Sequence, residues 1–299
     1  MESILRDIQN LNYKISIIPV ECLQELAREI NDLKSKNNIG KLQNWIINEM
    51  YVLDHSSLSF KPKSIVLTAK KHDIKQIVFN YHGKKITDYL SLFNTQLKDT
   101  CTKVFKSYGY ELSYKFWLPS KRLAVKAGLC EYGRNNITYI KGWGSFFEHA
   151  SFFSDIEPPK NYVWRAVKNM DLCQKCKACI NACPTSAIIK DRFLINPDYC
   201  ISNFNEMGTE PFPDFIPKES HLSIVDCLIC QKACPYNKAV LRAVNNTVEF
   251  NEMETALLLK GVPIEKLPTT LKYKVKVLNM EWFYESIPRN LKALLYNAV

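Results

Sequence analysis

Glycine is scarce in this chain, nine residues among 299, and histidine scarcer still at five. No apolar run approaches the ~20 residues that a helix needs to cross a bilayer, which argues against a membrane-spanning segment. Met1–Asp7 has no basic-then-apolar leader, so the expectation is a cytoplasmic chain that is neither exported nor inserted. There is no low-complexity tract and no internal repeat beyond two runs of cysteine. The formal charge of +10 is dispersed along the chain instead of being gathered into a tail. That pattern reads as a lysine-rich surface, with attraction of an acidic redox partner or a nucleic acid as the alternatives.

What the chain does have is cysteine in a fixed rhythm. Eight of its eleven cysteines form Cys173-x2-Cys176-x2-Cys179-x3-Cys183-Pro184 and Cys200 followed by Cys227-x2-Cys230-x3-Cys234-Pro235. This is the ligand spacing of two [4Fe–4S] clusters. In the bacterial two-cluster pattern the fourth cysteine of each run reaches across to the other cluster. Cys173, Cys176, Cys179 and Cys234 are thus expected to hold one cube, and Cys183, Cys200, Cys227 and Cys230 the other. Ile224 stands where a compact ferredoxin carries the first cysteine of its second run, and Cys200 is read as the replacement. Residues 201–226 then form an insertion, which Pro211, Pro213 and Pro217 keep irregular. A disulfide framework or two zinc sites would not explain three cysteines at three-residue steps followed by Cys-Pro. Cys22, Cys101 and Cys130 read as buried or incidental thiols.

The segment ahead of the clusters is patterned as a domain. Apolar spacing predicts helices over 20–34 and 88–107, the latter through Leu90, Phe93, Leu97, Cys101, Val104 and Phe105. Strands are expected at Ser64–Ala69, Lys75–Asn80 and Tyr110–Trp117. The resulting fold class is α+β, with an N-terminal layered α/β domain. After the clusters, Asn251 and Glu254 spell a capping box for a helix ending at Gly261, and two further short helices follow around Leu271–Leu278 and Pro288–Lys292. The expected division is 1–165, 166–240 and 241–299, the last a short helical cover.

Four of the nine glycines, Gly128, Gly133, Gly142 and Gly144, fall within seventeen residues. Glycine so concentrated implies unusual backbone or close approach to a bulky ligand. Gly128-x4-Gly133 has phosphate-loop spacing, but Arg134-Asn135 stands where Lys-Ser/Thr is required, which rejects that reading. Two interpretations remain: tight turns beside buried Tyr132 and Tyr139, or a cradle for a ligand.

The order Ala127-Gly-Leu, Gly133-Arg-Asn, Gly144-Ser-Phe-Phe, Ser154-Asp155, the first cysteine run, Cys200-Ile-Ser and Asp226-Cys-Leu-Ile-Cys-Gln-Lys-Ala-Cys-Pro-Tyr-Asn237 resembles the epoxyqueuosine reductase family, itself related to the reductive dehalogenases. The likeness covers about residues 118–238. It implies a nitroreductase-like, cobalamin-binding first domain, a ferredoxin-like double-cluster module, and an oxidoreductase fed by an external low-potential ferredoxin- or flavodoxin-type donor. By matching positions, Ala127, Gly128, Leu129, Gly133, Arg134, Asn135, Gly144, Ser145, Phe146 and Phe147 would line a cavity for base-off cobalamin. No Asp-x-His-x-x-Gly signature occurs, so a His-ligated corrinoid module is not expected.

The chain departs from the family at two places. The aspartate expected to donate a proton is absent, and ungapped counting puts Tyr114 in its place, with Lys121, Glu131 and Tyr132 as other donors near the turn. About sixty C-terminal residues are too few for the helical repeats with which many relatives hold tRNA. A small-molecule or nucleoside substrate is therefore expected ahead of tRNA. The rival readings are a non-catalytic two-cluster electron carrier and a tRNA epoxyqueuosine reductase with a replaced acid.

Overall fold

Ser64 through Ala69 are buried in unbroken succession, the mark of a strand covered on both faces. In the computed structural model this strand, Ser64–Lys71, is an inner member of a sheet whose order is Tyr13–Pro19, Ser64–Lys71, Phe147–Ser154, Leu112–Tyr114. The structure describes residues 1–35, 40–93, 96–115, 117–190, 195–206 and 208–296. Every pairing in this sheet is antiparallel, so the domain is α+β and not a parallel α/β fold. Val66 and Phe152 face the helices Glu2–Asn10 and Leu97–Ser107 through Ile4, Ile8, Cys101 and Phe105. Their neighbours Ile65, Leu67 and Phe153 face the other way, onto Leu23, Leu26 and Ile30 of the helix Cys22–Lys34 and Leu123 of the helix Ser120–Lys126. Adjacent residues thus serve opposite layers, as the two-residue period of a strand requires.

The chain divides into two compact units, Met1–His72 with Asn94–Lys175, and Asp73–Phe93 with Cys176–Val299. The second unit contains a hairpin that the sequence segmentation had left in the first. Its strands Asp73–Tyr81 and Lys84–Leu92 are joined by His82-Gly83. Both turn residues have positive φ, the requirement of a two-residue hairpin turn that matches strand twist. Ile77, Phe79, Ile86 and Leu90 share a core with Phe250, Leu258, Leu271, Val275 and Leu291, and this burial draws the hairpin to the C-terminal helices. Thr247–Phe250 adds a parallel strand to it.

The predicted helix over 88–107 is half wrong. Ile86, Asp88, Leu90 and Leu92 are buried alternately in a strand, and the helix is confined to Leu97–Ser107. Leu90, Phe93 and Leu97 happen to satisfy helical spacing as well, which is how a short apolar run misleads. The third expected strand shrinks to Leu112–Tyr114, and Phe116 lies outside the described residues. The helices Glu252–Leu259, Thr269–Val277 and Ile287–Tyr296 lie where expected. Both hydrogen bonds of the Asn251–Glu254 capping box form, each at 2.9 Å. Among the described residues no helix is long and apolar enough to cross a membrane.

Candidate functional site

In the second unit the helices Ala178–Ala182 and Ile229–Lys232 pack together, each carrying a cysteine of one run. No cysteine forms a disulfide. Cys200 lies close enough to Cys183, and Cys227 close enough to both, for like charge on each sulfur to raise its neighbour's pKa. Burial is the larger cause and pushes the Cys227 thiol up to about 12. Burial thus holds the Cys200 and Cys227 thiols in their protonated form unless a metal takes the protons' place, which is the chemistry of a thiolate cluster site. The backbone amides of Ser202 and Asn203 donate to Cys200, and that of Ile229 to Cys227. Cysteine thiolates are the donors that iron–sulfur clusters take, although among the described residues no three such side chains are drawn together as ligands of a single metal ion. Asn196 prepares the approach to Cys200 by accepting from the Asp198 amide at 3.2 Å.

Ile224, the residue in the vacated ligand position, is fully buried in the apolar core. Its N–H donates to the buried carboxylate of Asp88 at 2.8 Å. Ser223 bridges Asp88 and the Cys227 carbonyl, at 3.1 Å to each. Asp226 and Leu228, flanking Cys227, both adopt left-handed φ. That conformation is strained for leucine, and Asn205 and Asn290 hold the loop by donating to carbonyls of Asp226 and Ile224.

The glycine-rich segment of the first unit proves to be turns. Gly128 N–H donates to Val125 and Leu129 N–H to Ala124, with Gly128 at φ +73°. This is a Schellman cap on the helix Ser120–Lys126. Gly142 and Gly144 also have positive φ, in a tight loop where Ile140 and Gly144 bridge. A Cβ on Gly133 would collide with the Tyr139 ring and come within 2.7 Å of Asn135 Oδ1. Asn135 is buried against the Tyr139 hydroxyl at 3.0 Å. Ala127, Ser145, Phe146 and Phe147 are buried in their own unit. Of the residues matched to a corrin-lining role only Gly128, Leu129 and Arg134 keep appreciable open surface, and no step below passes through cobalamin. Arg134 instead donates to the carbonyl of Cys173 through Nη2 at 2.8 Å and Nε at 3.3 Å. Tyr132 exchanges backbone hydrogen bonds with Lys168 and Met170, and Glu131 pairs with Lys168 at 2.9 Å. The segment thereby fastens the stretch leading to the first cluster ligand.

Of the four sequence-derived acids, Tyr114 is engaged in packing. Its ring lies edge-on to Phe152 at 5.6 Å, with the Lys98 ammonium 4.0 Å above it. Tyr132 is buried, which raises its phenol's pKa. Lys121 differs from both. It is exposed as a residue, yet enough protein surrounds its ammonium for desolvation to lower its pKa. The ammonium donates to the Asn136 carbonyl at 3.0 Å and interacts with Cys130. Thr138 bridges the recess behind it, 2.9 Å from His149 Nε2 and bonded to the Cys130 sulfur. Burial, then the charges of Lys121 and His72, push His149 down to about 3, so its imidazole is neutral. Sequence reasoning passed over Thr138 and His149, because nothing local marks a threonine and a histidine on separate strands as partners.

Residues 172–237 match the family model described as a 4Fe-4S double cluster binding domain. The chain is 27% identical over 236 residues to an epoxyqueuosine reductase of Cyclobacterium marinum, covering 72% of each protein. It is 34% identical over 172 residues to one from Atelocyanobacterium thalassa, covering 56% of this chain and 51% of the relative. Its fold resembles the epoxyqueuosine reductase structure from Streptococcus thermophilus, with a TM-score of 0.65 at 19% identity over 99% of this chain and 81% of the other. A structure of an epoxyqueuosine reductase with an epoxyqueuosine-modified tRNA-Tyr stem loop gives the same TM-score at 16% identity, over 99% and 80% of the two chains. In sequence and in fold, and through its double-cluster domain, the chain is similar to the epoxyqueuosine reductases.

Proposed function

We propose that this oxidoreductase reduces the epoxide of an epoxyqueuosine nucleoside carried in tRNA, with Lys121 as proton donor. The observation that carries the reading is the attachment of the Lys121 loop system to the approach of Cys173, through Arg134 and the Tyr132 backbone. Sequence reasoning ranked tRNA below a small molecule. Similarity extending over nearly the whole chain to a structure holding a tRNA stem loop favours tRNA instead. The reaction converts an epoxide, two electrons and two protons into an alkene and water. Cys173, Cys176, Cys179 and Cys234 are assigned to one cluster and Cys183, Cys200, Cys227 and Cys230 to the other, and the clusters supply single electrons from an external low-potential donor.

The departing epoxide oxygen needs a proton, and an ammonium with a lowered pKa gives one up more readily than an ordinary lysine. The Asn136 carbonyl orients Lys121, and His149 beside Thr138 is neutral. Lys121→Gln is expected to lower turnover on epoxyqueuosine-containing stem loop by about 10²–10⁴-fold with iron content unchanged. Because the acid must be protonated, wild-type kcat should fall as pH rises through the lowered Lys121 pKa, and that limb should be missing in the variant. Full turnover by Lys121→Gln would move the acid elsewhere. Cobalamin is the finer part of the proposal and rests on the resemblance. Binding of about one equivalent of cob(II)alamin with a base-off EPR spectrum would support it, and absence of binding by fully clustered protein would remove it.

A further inference from the structure

A cavity of about 440 Å³ opens in the second unit between residues 211–221 of the insertion and the helix Ile287–Tyr296. Its volume falls in the range of small-ligand sites. Its floor is built rather than accidental. Arg289 donates to the carbonyls of Glu210 at 2.8 Å and Phe204 at 2.5 Å and lies 4.2 Å over the Phe212 ring. His221 packs against the same ring at 4.1 Å. The guanidinium is thus spent on holding two distant stretches of chain together, and the prolines at 211, 213 and 217 stiffen the wall. Around the mouth stand Lys218 and Lys292, with Asp214 the acidic residue of the lining. Tyr296 is 63% exposed, and the Lys218 ammonium lies 5.7 Å from its ring centroid.

We infer that this cavity takes one nucleotide of a single-stranded RNA segment, with the base on Tyr296 and the phosphate between Lys218 and Lys292. Cations flanking an open aromatic face are the elements by which proteins hold unpaired nucleic acid without reading its sequence. An acidic protein surface would use the lysines, but it gains little from a concave site with an exposed tyrosine at its edge. The inference rests on the tRNA reading and adds a second contact, built from residues that resemblance did not single out.

The test uses cluster-reconstituted full chain and a fluorescent unmodified anticodon stem loop, titrated over a salt series. Tyr296→Ala should weaken binding about tenfold or more, since stacking on one aromatic is commonly worth that much, while leaving the salt slope unchanged. Tyr296→Phe should restore it. Lys292→Gln should reduce the slope of log K against log salt by about 0.7, the loss of one single-strand phosphate contact. Tyr296 and Lys292 variants that bind as wild type does would overturn the cavity assignment and leave the tRNA reading standing. A wild-type chain that binds no stem loop would overturn both. An acidic peptide that competes with RNA and is insensitive to Tyr296→Ala would reassign the surface to a protein partner.

Discussion

Replacing Cys200 by alanine is expected to halve the iron of the reconstituted protein, from roughly eight atoms per chain to roughly four. Cys200 lies 27 residues ahead of Cys227, so nothing in ligand spacing alone forces it into the second cluster. The physical case comes from both ends of the loop. Ile224, at the position a cysteine would otherwise hold, is sealed in the apolar core with its amide committed to Asp88, so it has no means of being replaced by solvent or a distant thiol. Cys200 meanwhile is crowded by Cys183 and its sulfur receives two backbone amides, which stabilise charge on a ligating thiolate. Iron and sulfide assay with EPR of the reduced protein would show one cluster's signal and loss of the interaction between two. Cys22→Ala, a buried thiol on the helix Cys22–Lys34, is the control and should keep both. Retention of both clusters in Cys200→Ala would mean that another ligand completes the second cube.

Lys126→Ala is expected to destabilise the first unit by about 1–3 kcal/mol, less than the loss of one partner from a fully buried ion pair because solvent screens the partly open carboxylates. Its side chain is 1% exposed and meets Glu25 at 2.7 Å and Glu29 at 2.6 Å, with the Trp164 ring 4.8 Å away. Arg122 pairs with Glu29 at 2.7 Å, and Trp164 donates to Glu25 at 2.8 Å. Two cations on the helix that carries Lys121 are therefore tied to two carboxylates on the helix Cys22–Lys34. Without Lys126, the carboxylates face each other and one loses its compensation. Burial pulls the Lys126 pKa down, but the hydrogen bonds that its ammonium donates to the two carboxylates outweigh it and leave the pKa raised. The Glu25 pKa is lowered, chiefly by its hydrogen bond with Lys126. Glu29 is lowered as well, since Lys126 and Arg122 overcome its burial.

The pH dependence follows from these directions. Depressed carboxylates contribute stability above their unfolded pKa of about 4.3, and the contribution is lost as pH falls through their folded values. The raised lysine contributes below its unfolded pKa and is lost as pH rises through the folded one. The gap between wild type and Lys126→Ala in urea unfolding should thus be widest near neutrality and close in acid. An equal gap at low pH would show that packing of the lysine stem, not charge, is what the helix needs. Restoration of stability by adding Glu25→Gln and Glu29→Gln to Lys126→Ala would identify the uncompensated carboxylates as the cause.

The cysteines were legible because cluster ligation ties residue type to spacing so tightly that few other chemistries share the pattern. The Asn251–Glu254 cap and the strands at Ser64–Ala69 and Lys75–Asn80 were legible for a related reason, since each is decided within four to eight neighbouring residues. The glycines show where this stops. Gly128 and Gly133 are equally suggestive as letters, yet one ends a helix and the other makes room for the Tyr139 ring six residues on, a difference that glycine spacing does not carry. The same limit hid the strand at 84–92, whose alternation serves a core completed by Phe250 and Leu291.

By itself, then, the sequence determined the iron–sulfur chemistry, the place of the double-cluster domain in the chain and the likeness to epoxyqueuosine reductases, all of which depend on local order. Only the tertiary structure decided which residues surround an exposed ammonium. It did so by bringing Lys121 from a helix, Cys130 from the stretch after it, and Thr138 and His149 from two strands within interaction distance of one another. Such convergence is set by how layers pack, and the spacing of these residues along the chain carries no trace of it.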